Sequence, residues 1–108
     1  PRTEHSAKDS EVFFLEVVNG RDSQAVLLDR ERMSIGRAAG NDIVIQDPSV
    51  SARHALLERK RSTYIISDMQ SSNGVRVNGR KVDSKKLKIG ATLELGRASL
   101  VFRQKGKG

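Results

Sequence analysis

The sequence has 108 residues, 36% hydrophobic and 31% charged, the size and balance of one soluble globular domain. It contains no cysteine, which excludes disulfides, thiolate zinc sites and cysteine nucleophiles, and its two histidines, His5 and His54, are too few for most metal cages. The net charge of +7 is uneven: residues 1–60 hold 9 Lys/Arg against 10 Asp/Glu, while residues 61–108 hold 11 against 3, so the second half suits an anionic partner such as nucleic acid, a membrane surface or a phosphoprotein.

Residues 1–10 (PRTEHSAKDS) are polar, lack periodicity and read as a flexible tail. No apolar run follows a basic start, so no signal peptide is visible, and none approaches the roughly 18 residues that span a bilayer. The chain starts at Pro1 rather than Met and is expected to be a piece of a longer protein. Short apolar segments then follow at close intervals, at 12–18, 24–29, 32–36, 43–45, 54–59, 63–68, 75–77, 80–82, 87–89, 92–96 and 98–103. Several alternate with period two: Leu93 and Leu95 against Thr92 and Glu94, Leu100 and Phe102 against Ser99 and Arg103. That is the pattern of a half-buried strand. Asn-Gly pairs at 19–20, 73–74 and 78–79 and Asp47-Pro48 read as turns. No ten-residue stretch keeps a helical apolar stripe, so the expected fold is an all-β sandwich over residues 11–103. Residues 104–108 (QKGKG) read as a second flexible tail.

Four short segments carry the chemistry: Gly36-Arg37, Asn41-Asp42, Ser51-Ala52-Arg53-His54 and Ser71-Ser72-Asn73-Gly74. All but the first are expected in connections between strands, where binding residues of a rigid sandwich usually sit. Arg37 offers a planar fork of donors that fits a phosphate, and Ser51 a hydroxyl for a phosphate oxygen. Backbone N–H groups of the Ser-rich turns add donors for an anion, and Asn73 has the donor and acceptor that a peptide backbone needs. No nucleophile stands beside a general base, so the set is expected to hold an anion and to catalyse nothing. His54 leads into the apolar run Ala55-Leu56-Leu57 and reads as a buried, hydrogen-bonded residue. The run Arg80-Lys81, Lys85-Lys86, Lys88 reads as a solvated face.

The ordered set Gly36-Arg37, Asn41-Asp42-Ile43, Val50-Ser51-x-x-His54, Ser72-Asn73-Gly74 and Val77-Asn78-Gly79 resembles a forkhead-associated (FHA) domain from about residue 12 to 103. The resemblance implies a two-sheet β-sandwich of about eleven short strands with binding loops at one end. It implies recognition of phosphothreonine in a partner protein, itself the substrate of a Ser/Thr kinase. It assigns phosphate contact to Arg37 and Ser51, assistance to Ser72, and a hydrogen bond from Asn73 to the ligand main chain. Gly36 and His54 are implied to shape the loops behind the site, with Gly74 supporting it. The pattern departs at Ala52, where many such domains carry Arg or Asn. Arg53 follows and joins the candidate set, although along a strand it would point away.

Two other readings stand beside this one. A phosphate-independent interaction module of the same fold is compatible with Ala52. A basic nucleic-acid-binding β domain is compatible with the charge, but Phe13, Phe14, Tyr64 and Phe102 are the only aromatics, and three sit in apolar strand patterns. The expectation is therefore a monomeric, intracellular phosphopeptide-binding domain within a larger protein, with no catalytic residue, metal, cofactor, nucleic-acid partner or membrane insertion.

Overall fold

The computed structural model describes residues 12–105. Eleven strands run β1 (Val12–Asn19), β2 (Asp22–Leu27), β3 (Arg32–Gly36), β4 (Ile43–Val44), β5 (Ala55–Lys60), β6 (Thr63–Asp68), β7 (Val75–Val77), β8 (Arg80–Val82), β9 (Ser84–Leu87), β10 (Thr92–Leu95) and β11 (Ala98–Lys105). They form two sheets, ordered β2-β1-β11-β10-β7-β8 and β4-β3-β5-β6-β9. All pairings are antiparallel except β3 with β4. The fold is thus the expected all-β, two-sheet sandwich of eleven strands, and no helix occurs among the described residues.

Period-two patterning decides which side chains meet between the sheets. Phe13, Leu15 and Val17 of β1 point inward beside Leu100 and Phe102 of β11 and Leu93 and Leu95 of β10. Opposite them lie Met33 and Ile35 of β3, Leu57 of β5, and Tyr64 and Ile66 of β6. Phe13, Tyr64 and Phe102 form an aromatic cluster with centroids 5.2–5.7 Å apart. The Arg59 guanidinium lies over Phe13 and Tyr64 at 5.4 and 5.5 Å. Three of the four aromatic rings are therefore spent on the core.

Several expected boundaries move. Strand β11 continues through Gln104 and Lys105, opposite Phe13 and Val12, so these two residues belong to the sheet and not to a tail. The pairing of Asn19 with Asp22 closes the first hairpin tightly, and β2 begins two residues before the apolar segment at 24–29. The strand expected at 87–89 is instead Ser84–Leu87. It is an edge strand paired only with β6, so a single inward residue, Leu87, suffices, and Ile89 is left 52% exposed. The expected tail at 1–10 and residues 106–108 lie outside the described residues.

The three Asn-Gly pairs do different work. At Asn78-Gly79 both residues have positive φ, 52° and 87°, as a tight turn between β7 and β8 requires. Asn73-Gly74 makes no hairpin. It carries the chain from β6 in one sheet to β7 in the other.

Candidate binding rim

The β3–β4, β4–β5 and β6–β7 connections meet at one end of the sandwich. Their convergence is written in three hydrogen bonds to the consecutive residues 49–51. Asn73 Nδ2 donates to the Ser49 carbonyl at 2.7 Å. Arg37 Nε donates to the Val50 carbonyl at 2.9 Å. The Ser72 N–H donates to Ser51 Oγ at 3.0 Å. The guanidinium of residue 37, the hydroxyl of 51 and the amide of 73 therefore share one rim.

Each bond leaves functional capacity open. Arg37 is exposed and uses only Nε, so its terminal amino groups face outward without a partner among the described residues. Ser51 Oγ accepts one bond and keeps its hydroxyl proton to donate. Asn73 is exposed and keeps its carbonyl oxygen as an acceptor. Ser72 is exposed beside them.

Behind the rim, His54 is fully buried and both ring nitrogens are occupied. Nδ1 accepts the Ser51 N–H at 3.0 Å, so Nε2 carries the proton and donates to the Gly74 carbonyl at 2.8 Å. Ser71 Oγ accepts the Gly74 N–H at 2.8 Å, and the Ser71 N–H donates to Asp68 at 3.1 Å. Gly36 is packed so closely that a Cβ there would run into the Ala52 carbonyl and lie 2.8 Å from Asn41 Nδ2. Buried Asn41 holds the same loop, donating to the carbonyls of Ala38 at 2.8 Å and Ala52 at 2.7 Å.

Ser49 was not among the expected site residues, yet it is the junction of the rim. Its carbonyl holds Asn73, its N–H and Oγ–H both donate to Asp47 Oδ1 at 2.8 and 2.6 Å, and its Oγ accepts the Arg97 N–H at 2.8 Å. These bonds hold the Asp47 carboxyl below its ordinary value of 3.8. The signal lay in Asp47-Pro48-Ser49, the spacing of a side chain capping the backbone two residues on. The β10–β11 turn fits against this residue only because position 96 is glycine, at φ +60°, where a Cβ would strike the Ser49 backbone and hydroxyl.

Arg53 departs from the reading of its position as part of a strand. Strand β5 begins only at Ala55, and Arg53 sits exposed in the preceding bend, so strand alternation does not aim it away from the rim. The Ala52 carbonyl is tied down from Asn41 and from the Ala38 N–H, while its methyl side chain is exposed and offers no polar contact. Chemically the rim can hold an anion and an extended backbone. His54 has no free nitrogen for proton transfer, and among the described residues no group of three or more His, Asp or Glu gathers to hold a metal. No helix of the described residues is long and apolar enough to cross a membrane.

Comparison with known proteins gives a consistent picture. Residues 16–106 match the family described as the inner membrane component of the type III secretion system, cytoplasmic domain. The chain is 38% identical over 76 residues to an oxoglutarate dehydrogenase inhibitor of Corynebacterium jeikeium, covering 70% of this chain and 53% of that protein. It spans about half the length of the curated relatives it matches. Among solved structures, Mycobacterium tuberculosis EmbR in complex with a low-affinity phosphopeptide superposes with a TM-score of 0.82 at 26% identity, over 90% of this chain and 25% of that one. A domain solved in work on phosphothreonine-dependent FHA domain interactions superposes with a TM-score of 0.80 at 25% identity, over 85% of this chain and 95% of that one.

Proposed function

This chain belongs to the FHA family, matching the FHA-like type III secretion cytoplasmic-domain model over residues 16–106, and we propose that its rim binds phosphothreonine-containing segments of partner proteins. The observation that carries this is the anchoring of Arg37, Asn73 and Ser72 on the consecutive residues Ser49, Val50 and Ser51. Arg37 and Ser51 grip the phosphate, Ser72 and Arg53 add donors, and Asn73 takes the main chain beside the phosphothreonine. Gly36, His54 and Gly74 hold the three connections in place. The work is reversible binding without turnover, inside the cell where Ser/Thr kinases write the mark, by a monomeric domain of a larger protein.

The scale is appropriate for a signalling reader. Charge-assisted hydrogen bonds contribute about 1.5–3 kcal/mol each, and three or four of them less ordering and translational costs leave roughly −7 to −9 kcal/mol, or micromolar affinity. Nucleic acid is disfavoured, since Phe13, Tyr64 and Phe102 are buried together and give bases no platform.

An oriented phosphothreonine peptide library, with each selected peptide compared against its unphosphorylated twin, tests the reading. Phosphorylated forms bind and Arg37→Ala removes the binding. Equal retention of both forms, or retention untouched by Arg37→Ala, would overturn it and favour a phosphate-independent contact.

A further inference from the structure

Beside Asn73 the rim opens into a cleft of about 460 Å³ lined by Ser49, Asn73, Arg76, Glu94, Gly96 and Arg97. Arg76 projects from the outer face of β7, since Val75 and Val77 on either side of it are buried. Arg97 is exposed in the β10–β11 turn, held by its N–H bond to Ser49. A third cation approaches from β8, where Lys81 stands opposite Arg76. The Lys81 stem lies over Gly74, its Cε 2.8 Å from where a Cβ on that glycine would be. Lys81 is exposed, as expected of its basic run, so its ammonium group stays in solvent beside the cleft.

Two acids, Glu94 and Asp47, oppose these three cations, and neither closes an ion pair with them. The ion pairs among the described residues are Arg30–Asp42, Arg32–Glu58 and Arg103–Glu16, all elsewhere. Glu94 is the one acid lining the cleft, cross-strand from Arg76 but in no ion pair. The Asp47 carboxylate accepts both Ser49 bonds and stays anionic, and Arg97 feels its charge although the two form no ion pair. With Lys81 on the flank, three cations outnumber two acids, which leaves a small surplus of positive charge beside the residue that takes the ligand main chain.

Resting on the phosphothreonine reading, we infer that this cleft is a second anionic subsite, and that the preferred ligand carries an acidic side chain on the stretch running past Asn73. The shared chemistry is a carboxylate or a second phosphate. Asn73 holds the main chain at the cleft mouth, Arg76 and Arg97 meet the anion, and Lys81 adds field from the flank. Arginine, unlike lysine, offers a planar pair of donors to either anion.

The test is the same library with flanking positions scanned one at a time, followed by fluorescence titration of the selected peptide, its alanine-substituted twin, and versions carrying phosphoserine at the selected acidic position. Acidic residues are enriched on one side of the phosphothreonine only. R76A/R97A lowers the acidic-to-alanine preference roughly threefold to tenfold, the range of one or two partly exposed charge contacts. E94Q, which removes the opposing charge, raises that preference. A larger gain from phosphoserine than from aspartate assigns the subsite to a second phosphate; the reverse assigns it to a carboxylate. Absent acidic enrichment, or enrichment indifferent to R76A/R97A and E94Q, would overturn the subsite while Arg37-dependent retention left the primary reading standing. Failure of every phosphothreonine peptide to bind would remove both.

Discussion

The Ser51 backbone N–H donates to His54 Nδ1 at 3.0 Å, and through its other nitrogen the same imidazole reaches the Gly74 carbonyl at 2.8 Å. One fully buried ring therefore couples the β4–β5 and β6–β7 connections from behind. His54→Ala strands a buried donor and a buried acceptor and opens a cavity. Together these cost about 2–4 kcal/mol in urea denaturation. Phosphopeptide affinity falls as well, because Ser51 and the Ser72-Asn73 segment lose their common anchor.

Gly36 and Gly40 provide a paired test of backbone packing. A methyl at 36 has the Ala52 carbonyl and Asn41 in its way, whereas a methyl at 40 meets nothing within 4 Å. Gly36→Ala lowers the stability by about 2 kcal/mol, as overpacking against backbone does. Gly40→Ala shifts it by less than about 0.5 kcal/mol. Equal melting behaviour of the two variants would contradict the packing described.

Arg37→Lys separates charge from geometry at the rim. Lysine keeps the positive charge but has neither the Nε–H that donates to the Val50 carbonyl nor the second planar donor. Phosphopeptide affinity drops at least about tenfold by isothermal titration, and Arg37→Ala, losing a contact of several kcal/mol, drops it below detection. Because Arg37 is exposed, both variants unfold within about 1 kcal/mol of the parent.

Tyr64 is the single tyrosine and the chain has no tryptophan, so phenolate absorbance reports one residue. Burial raises its phenol above the ordinary 10.0, with nearby Arg59 working against the shift. The folded chain then keeps the proton to a higher pH than the unfolded chain. Unfolded protein loses it first, so stability is intact below pH 10.0 and declines as pH rises past that value. An alkaline absorbance titration gives a midpoint above 10.0 in buffer and near 10.0 in denaturant. A midpoint at 10.0 under both conditions would show the ring to be accessible.

By itself the sequence determined the fold class, the approximate place of most strands and which residue types stand at the rim. Alternation in Leu93–Leu95 and Leu100–Phe102 is enforced by the two-residue repeat of an extended chain, and a sandwich is how such faces become buried. Arg37, Ser51, Ser72 and Asn73 were legible because a fork, two hydroxyls and an amide in ordered turns carry their chemistry in the residue type. Tertiary structure alone decided what those residues lean on. Ser49 looks like any turn serine until Asn73, Asp47 and Arg97 converge on it across 24, 2 and 48 positions of chain. Lys81 is solvated as its run implies, but only β8 decides that its stem crosses Gly74. Ile89 and Gln104 went the other way, an apolar residue left outside beyond edge strand β9 and a polar one paired with β1 inside the sheet, because partner strands set where each strand ends. Local pattern fixes which face a side chain takes; only the closing of distant segments fixes its neighbours.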